Sequence, residues 1–369
     1  VPFADELLGR EVVETLRDVL HGVAPDRPLD ELAAVAGALD GQALGERSAA
    51  IRDATLAGLP ADFAAFDAVL RAALADDRFR GWMIWAVADA AAVRALEAPD
   101  DRDLVAGLEL LRALTPRLTA EAAIRRFLLR DPDRTLAHLA GWTDDPDEHV
   151  RRLVSEGTRP NLPWAVRVPA LRARPDATVG LLDALHRDPA EYVRRSVANH
   201  LNDLSRIDAD LAIAVAGRWL AGAPGDVPTA RLVRHALRTA VKAGDPRALA
   251  LQGFGPPPPG LTITGPVPDR TALRIGEELT LTCTLAHAGD APVALAIDYV
   301  VHYVKASGAT APKVFKLATR TLAPGETATL TARRSFAQRT TRRHHPGPHV
   351  VELQVNGHRH GRAEVQLLP

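Results

Sequence analysis

Apolar residues recur at intervals of three and four over residues 11–20, 32–39 and 62–74, the period of a helix with one buried face. Residues 1–130 read this way throughout, as helix after helix. Trp82 and Trp85 share one helix face, where core packing of large aromatics is the expectation. A further helix is expected to open at Asp100-Asp101 and to end near Pro116, and Thr119 to cap a helix over residues 120–127. Past Gly260 the period becomes two. Residues 278–285 alternate apolar side chains with threonine, and 293–304, 328–336 and 350–355 also read as strands. Asn356-Gly357 is a hairpin signal that leads into a last strand at 362–368. Between the two regimes lies Pro256-Pro257-Pro258-Pro259, read as a stiff linker.

The helical pattern repeats. Val150-Arg151-Arg152 returns as Val193-Arg194-Arg195 after 43 residues, and Asp145-Pro146 returns as Asp188-Pro189 after the same interval. Each aspartate is expected to cap a helix with proline in its first turn. Ile124-Arg125-Arg126 and Val233-Arg234-His235 read as degenerate copies. A repeat of about 40–47 residues made of paired helices is the mark of a HEAT-type solenoid. The last ~110 residues, with short strands and turns between them, have the size and style of an immunoglobulin-like sandwich. The expected architecture is therefore multidomain: an all-α HEAT-like solenoid over residues 1–252, a proline-rich linker over 253–260, and an all-β sandwich over 261–369.

Composition narrows the function classes. The single Cys283 excludes an internal disulfide and a thiolate metal cluster. No apolar run is long enough to span a membrane as a helix, and no signal-peptide pattern opens the sequence, so a soluble cytoplasmic protein is expected. Lys plus Arg total 45 against 46 Asp plus Glu, so a polyanion partner would have to be met by local charge. That charge divides with the architecture: residues 261–369 hold 13 basic and 8 acidic residues, a net of +5, and the remainder is net −6. Arg333-Arg334, Arg339 and Arg342-Arg343-His344-His345 gather much of the excess at one strand and its following loop. Solvated surface is the ordinary use of such a run; beside a helical array it also suggests contact with a phosphate backbone. His344-His345 and His358-Arg359-His360 lack carboxylates in register, so no metal is expected.

Phosphate loops, dinucleotide fingerprints, the G-x-S-x-G elbow and H-E-x-x-H are all missing. The repeated arginines carry more information. Equivalent positions of a solenoid line one face. One arginine of each pair is expected to brace the neighbouring repeat and the other to face a ligand. Asn199 and Asn202-Asp203 stand at a helix end, where asparagine often satisfies backbone groups.

The segment Leu118-Thr119-Ala120-Glu121-Ala122-Ala123-Ile124-Arg125, the run from Glu148 through Glu156-Gly157-Thr158-Arg159-Pro160-Asn161-Leu162-Pro163-Trp164, and Ser196 through Asp203 together resemble the AlkC branch of the HEAT-like DNA alkylation repair glycosylases, a branch with one subgroup that carries a C-terminal immunoglobulin-like domain. The likeness covers the helical part. It departs at Asn161, where the resemblance leads one to expect a basic residue, a change that weakens one backbone contact at most. The resemblance implies hydrolytic excision of cationic N3-alkylated bases, chiefly 3-methyladenine and also 3-methylcytosine, from double-stranded DNA. It implies action as a monomer, without a cofactor and without turning the base into a pocket. Glu121 and Glu156 match the family's acidic positions, Asp203 is a third carboxylate, and Trp164 would lie against the sugar. The DNA-facing set would be Arg152, Arg159, Arg195 and Asn202, joined by Arg339, Arg342 and Arg343 of the sandwich. The competing reading is a non-catalytic HEAT scaffold for DNA or protein. A carbohydrate-binding sandwich is weaker still, because that domain has no tryptophan.

Overall fold

A computed structural model describes residues 4–339 and 342–369. It divides into two compact units, Val1–Ala236 and Leu237–Pro369.

The first unit is helical. Helices Arg10–Val23, Leu44–Gly58, Phe63–Ala73, Met83–Ala95 and Leu104–Leu114 build its early part. Leu16, Leu20, Phe66, Leu70 and Ile84 are fully buried at the intervals that the pattern requires. Trp82 and Trp85 stack obliquely at 5.7 Å, half-buried. The helix expected from residue 120 begins later, at Ile124–Arg130. Thr119 still accepts the Glu121 N–H, but it holds a turn, which leaves Glu121 ahead of the helix.

The repeat is real, and its chemistry differs from the expected cap. The caps of Glu148–Gly157 and Glu191–Leu204 are Asp147 and Ala190, so the Asp-Pro pairs lie outside the helices. Asp145 accepts from the N–H of Asp147, and Asp188 from that of Ala190, two residues on in each case. The same carboxylates receive an arginine from the preceding repeat: Arg112 Nε on Asp145 at 2.6 Å, and Arg151 Nε on Asp188 at 2.6 Å. Arg151 and Arg194 also donate to the carbonyls of their own Asp-Pro pairs. The aspartate is a junction between repeats, a use that proline's fixed φ favours by holding the turn open.

The second unit is a two-layered sandwich of β1 Leu261–Pro268, β2 Ala272–Arg274, β3 Glu278–His287, β4 Val293–Val304, β5 Thr310–Leu322, β6 Thr327–Ser335, β7 Gly347–Val355 and β8 His358–Leu368. The sheets run β1-β3-β6 and β2-β8-β7-β4-β5, antiparallel except for the β2–β8 pair. Leu279, Leu281, Cys283 and Leu285 alternate inward from β3 onto Leu295, Ile297, Val351, Leu353 and Val355. Asn356 and Gly357, at φ 45° and 84°, form the hairpin turn between β7 and β8. The short helices Arg238–Ala243 and Pro246–Ala250 belong to this unit. Gln354 donates to the Lys242 carbonyl, and Asn356 to that of Gly255, so the sandwich holds the start of the proline-rich segment.

Candidate active site

Three carboxylates and two guanidiniums alternate in one string, buried at Glu156, Arg159 and Asp203 and half-buried at Glu121 and Arg152. Helix Glu148–Gly157 supplies Arg152 and Glu156 one turn apart; Arg159 follows its end; helix Glu191–Leu204 supplies Asp203. Arg152 Nη1 donates to Glu121 Oε2 at 2.8 Å, and its Nη2 lies 3.8 Å from Glu156 Oε1. Arg159 Nη1 donates to Glu156 Oε1 at 2.5 Å, and its Nε to Asp203 Oδ2 at 2.9 Å. The five side chains carry a net charge of −1.

Their environments differ. Ser196 Oγ donates to Glu156 Oε2 at 2.6 Å, so both oxygens of that carboxylate have donors. Burial pushes the Glu156 carboxyl up, but Arg159 and Arg152 overrule it and hold the group below the usual carboxylate range. Burial raises the Asp203 carboxyl, and Arg159 only partly offsets it. Glu121 is the more open of the three: Oε2 receives Arg152 and Thr119, and Oε1 has no hydrogen bond to a described residue. Behind the string, His200 is fully buried and held down to about pKa 4 by that burial. Its Nδ1–H donates to the Ser155 carbonyl, and its Nε2 accepts from Thr178.

Trp164 is not a core residue. It is 70% exposed and holds a left-handed φ of 62°, a conformation that costs a bulky residue on the order of 1 kcal/mol or more. Val166 beside it is exposed as well. On the same segment Asn161 Oδ1 accepts from Arg167 and Arg172, so two exposed guanidiniums gather there.

The arginines divide. Arg195 is exposed and has one weak ion pair with Glu191 at 3.6 Å. Together with Arg194 and Arg231 it lines a groove of about 180 Å³. Arg152 lies with its guanidinium over the Tyr192 ring. Arg159 and Asn202 are buried. In the sandwich, Lys313, Arg334, Arg339 and Arg342 line a cavity of about 300 Å³ with Phe315, Ser335 and His344. Arg334 lies 4.0 Å from the Phe315 centroid, and Arg342 lies 4.8 Å from that of Tyr303. Burial lowers the Lys313 and His344 pKa values, and Arg342 and Arg334 lower them further, to about 4 for the histidine. Arg339 and Arg343 are exposed.

Sequence reasoning did not assign Ser196, Tyr192, Lys313 or Arg334. Tyr192, Ser196 and Asp203 stand at i, i+4 and i+11, one helix face, and that spacing was the available signal for the first two. Lys313 on β5 and Arg334 on β6 belong to different sheets and meet only through the packing of one sheet on the other, which leaves no local trace. No helix among the described residues is long and apolar enough to cross a membrane.

A helical array with a carboxylate–arginine string and an appended sandwich defines a class of protein, and comparison places the chain within it. Residues 262–369 match the family described as "Uncharacterised protein YhaZ, C-terminal Ig-like domain". The chain is 37% identical over 250 residues to the protein YhaZ of Bacillus subtilis (strain 168), covering 68% of each chain. It is also similar over 100% of both chains, at 33% identity and a TM-score of 0.90, to the alkylpurine DNA glycosylase AlkC of Pseudomonas fluorescens, solved bound to DNA containing an abasic site analog. The chain belongs to the AlkC-type family of HEAT-like DNA glycosylases, in the subgroup with a C-terminal immunoglobulin-like domain.

Proposed function

We propose that this chain excises cationic N3-alkylated bases, chiefly 3-methyladenine and also 3-methylcytosine, from double-stranded DNA by hydrolysing the N-glycosidic bond without flipping the base. The observation that carries this reading is the Glu121–Arg152–Glu156–Arg159–Asp203 string, with an exposed Trp164 on the segment that follows Arg159, in a chain that matches a DNA glycosylase end to end. An alkylated base of this kind is already positively charged, so its departure needs no proton donor. What the reaction requires is stabilisation of the sugar oxocarbenium ion and a placed water.

The three carboxylates suit different parts of that task. Glu156 has both oxygens donated to and its ionised form favoured, which makes it a fixed negative charge. Glu121 has an oxygen to spare, which suits it to hold and deprotonate the water. Asp203 keeps Arg159 in place between the carboxylates. Trp164 offers the sugar cation a negative π face. Trp164 and Val166 are exposed, which suits a base that leaves sideways without entering a pocket. Exposed Arg195, together with Arg167 and Arg172, would hold phosphates along the helical unit, and the Lys313–Arg334–Arg339–Arg342 cavity would add phosphate contacts from the sandwich.

The test is base release from methylated duplex under single-turnover conditions, followed by mass spectrometry. Release of 3-methyladenine at a rate well above spontaneous loss is expected. Tight binding to abasic-analogue duplex without release of any base would favour the scaffold reading instead.

A further inference from the structure

We propose that Arg125 is a positioning residue that acts through Trp164: it ties together the two ends of the 157–166 segment and so sets the tryptophan's place at the site. This rests on the functional reading above only insofar as Trp164 meets the sugar. Arg125 is the second residue of helix Ile124–Arg130 and is fully buried. Its Nε donates to the Val166 carbonyl at 2.5 Å, and its Nη1 to the carbonyls of Gly157 at 2.9 Å and Arg159 at 2.8 Å. All three acceptors belong to the segment that carries Trp164.

The charge balance at Arg125 is unusual for this chain. Arg126, next to it, has the Asp89 carboxylate, and Arg151 has Asp188. Among the described residues Arg125 makes no ion pair, and its Nη2 has no hydrogen-bond partner. Burial, then Arg159 and Arg167, push its pKa down to about 10, so it remains a cation at neutral pH. An unpaired buried cation is disfavoured unless dipoles are aimed at it. Here the dipoles are the backbone of one short segment, so the cost of burying the charge is tied to that segment keeping its shape.

Trp164 needs such a constraint. A bulky residue at positive φ persists only where its surroundings over-determine it, and an exposed ring has little around it to do so. The restraints sit elsewhere on the segment: Arg125 at both ends, and Arg159 held between Glu156 and Asp203. Gly157 permits the approach, because a Cβ there would come within 2.6 Å of Ile124 Cγ2. Lysine could not replace this arginine, since one nitrogen on a flexible stem cannot address the directions of Nε and Nη1 together.

The experiment compares Arg125→Lys and Arg125→Met in the full chain, each also in Trp164→Phe and Trp164→Ala backgrounds. Two quantities are read. One is the single-turnover release of 3-methyladenine at saturating protein. The other is the fluorescence anisotropy of Trp164, taken as the difference between each protein and its Trp164→Phe counterpart. Both substitutions are expected to slow release by about tenfold or more, since small misplacements near a reacting centre can cost up to ~10²-fold. Affinity for abasic-analogue duplex should change much less, and the Trp164 anisotropy should fall. In the Trp164→Ala background the lysine substitution should cost little further, the non-additivity expected of residues acting as a unit. An unchanged rate and anisotropy in Arg125→Lys would overturn the proposal, as would losses that multiply fully in the Trp164→Ala background. Should Arg125→Met not fold, the lysine variant decides alone. Should the unaltered chain release no base, the functional reading fails, and the anisotropy still decides whether Arg125 fixes Trp164.

Discussion

The helical unit and the sandwich treat buried and clustered charge in opposite ways. In the helical unit, with buried Arg125 the exception, arginines are matched to carboxylates: Arg112 to Asp145, Arg151 to Asp188, and Arg152 and Arg159 to the acidic trio. In the sandwich, Lys313, Arg334, Arg339 and Arg342 crowd one cavity against aromatic rings, and none forms an ion pair with a described residue. The first arrangement holds structure and a fixed negative charge. The second leaves positive charge that only an outside anion can neutralise. A net-acidic helical unit beside a net-basic sandwich therefore reads as a division between chemistry and grip.

The largest expected effect probes the chemical side. Glu156→Gln keeps the shape and hydrogen-bonding reach of the side chain but removes its charge. It should slow single-turnover release by about 10²–10³-fold, roughly 3–4 kcal/mol, with abasic-analogue binding nearly retained. Glu121→Gln should also act on rate rather than affinity. Rates within threefold of the unaltered chain for both variants would remove the carboxylates from the mechanism and dissolve the division.

The next prediction separates bracing arginines from reactive ones. Asp188→Ala leaves Arg151 with only the carbonyls of Asp145 and Pro146. Breaking so well buried a pair should cost about 2–4 kcal/mol and lower the Tm by roughly 5–12 °C, given the usual scaling for a unit of this size. Excision measured well below that Tm should change little. A large loss of excision in a fully folded variant would mean that the repeat junction and the active site are one system.

Much of this contrast could be read from the sequence, and the limits of that reading have physical causes. The change of period located both regimes, because burial of one face imposes 3.6 on helices and 2 on strands. The 43-residue echo located the arginine pairs. It did not reveal that Asp145 and Asp188 receive an arginine from the preceding repeat, since that contact joins residues 33 and 37 positions apart and either partner alone looks like an ordinary turn or surface charge. Strand β5 was missed because half of its positions are polar and exposed. Glu121, Glu156, Trp164 and Asp203 were named from a family likeness; nothing in their local pattern distinguished them. Arg125 could not be separated from Arg126 without the fold, because only packing shows which of two adjacent arginines turns inward.

A smaller effect tests the grip. Replacing Arg339, Arg342 and Arg343 together by alanine should weaken damaged and undamaged duplex by similar factors, because phosphate contacts carry no sequence information. The slope of log affinity against log salt should flatten by about 0.9 for each phosphate that the variant no longer neutralises. Single-turnover release at saturating protein should hold. An unchanged slope would make the cluster mere solvated surface, and a slower chemical step would place the sandwich in the lesion site.

The smallest effect follows from the mirror image of Glu156 in the sandwich. Asp298 lies in β4, an interior strand of its sheet, buried, with Lys242, Lys316 and Arg359 near it but no ion pair among the described residues. Burial dominates here and pushes its carboxyl up to about 6, whereas at Glu156 arginines reverse the same tendency. The sign for stability is then opposite to that of a salt-bridged carboxylate. A folded pKa raised above the unfolded value of 3.8 means that the folded state binds the proton more tightly. Asp298 therefore costs nothing below about pH 4, and becomes destabilising as pH rises through about 6. The shift sets an upper limit of about 3 kcal/mol at pH 7.5, and loss of attraction to the nearby cations on substitution reduces the net gain. Asp298→Asn should raise the Tm of the sandwich transition at pH 7.5 by an amount equivalent to about 1 kcal/mol, and should make the change in Tm from pH 7.5 to 5 less favourable than in the unaltered chain, where buried His344 works in the opposite direction over the same window. Calorimetry at the two pH values reads both. A lower Tm for Asp298→Asn at pH 7.5 would mean that the lysines and Arg359 compensate the buried charge after all, and that the two units handle a buried carboxylate in the same way.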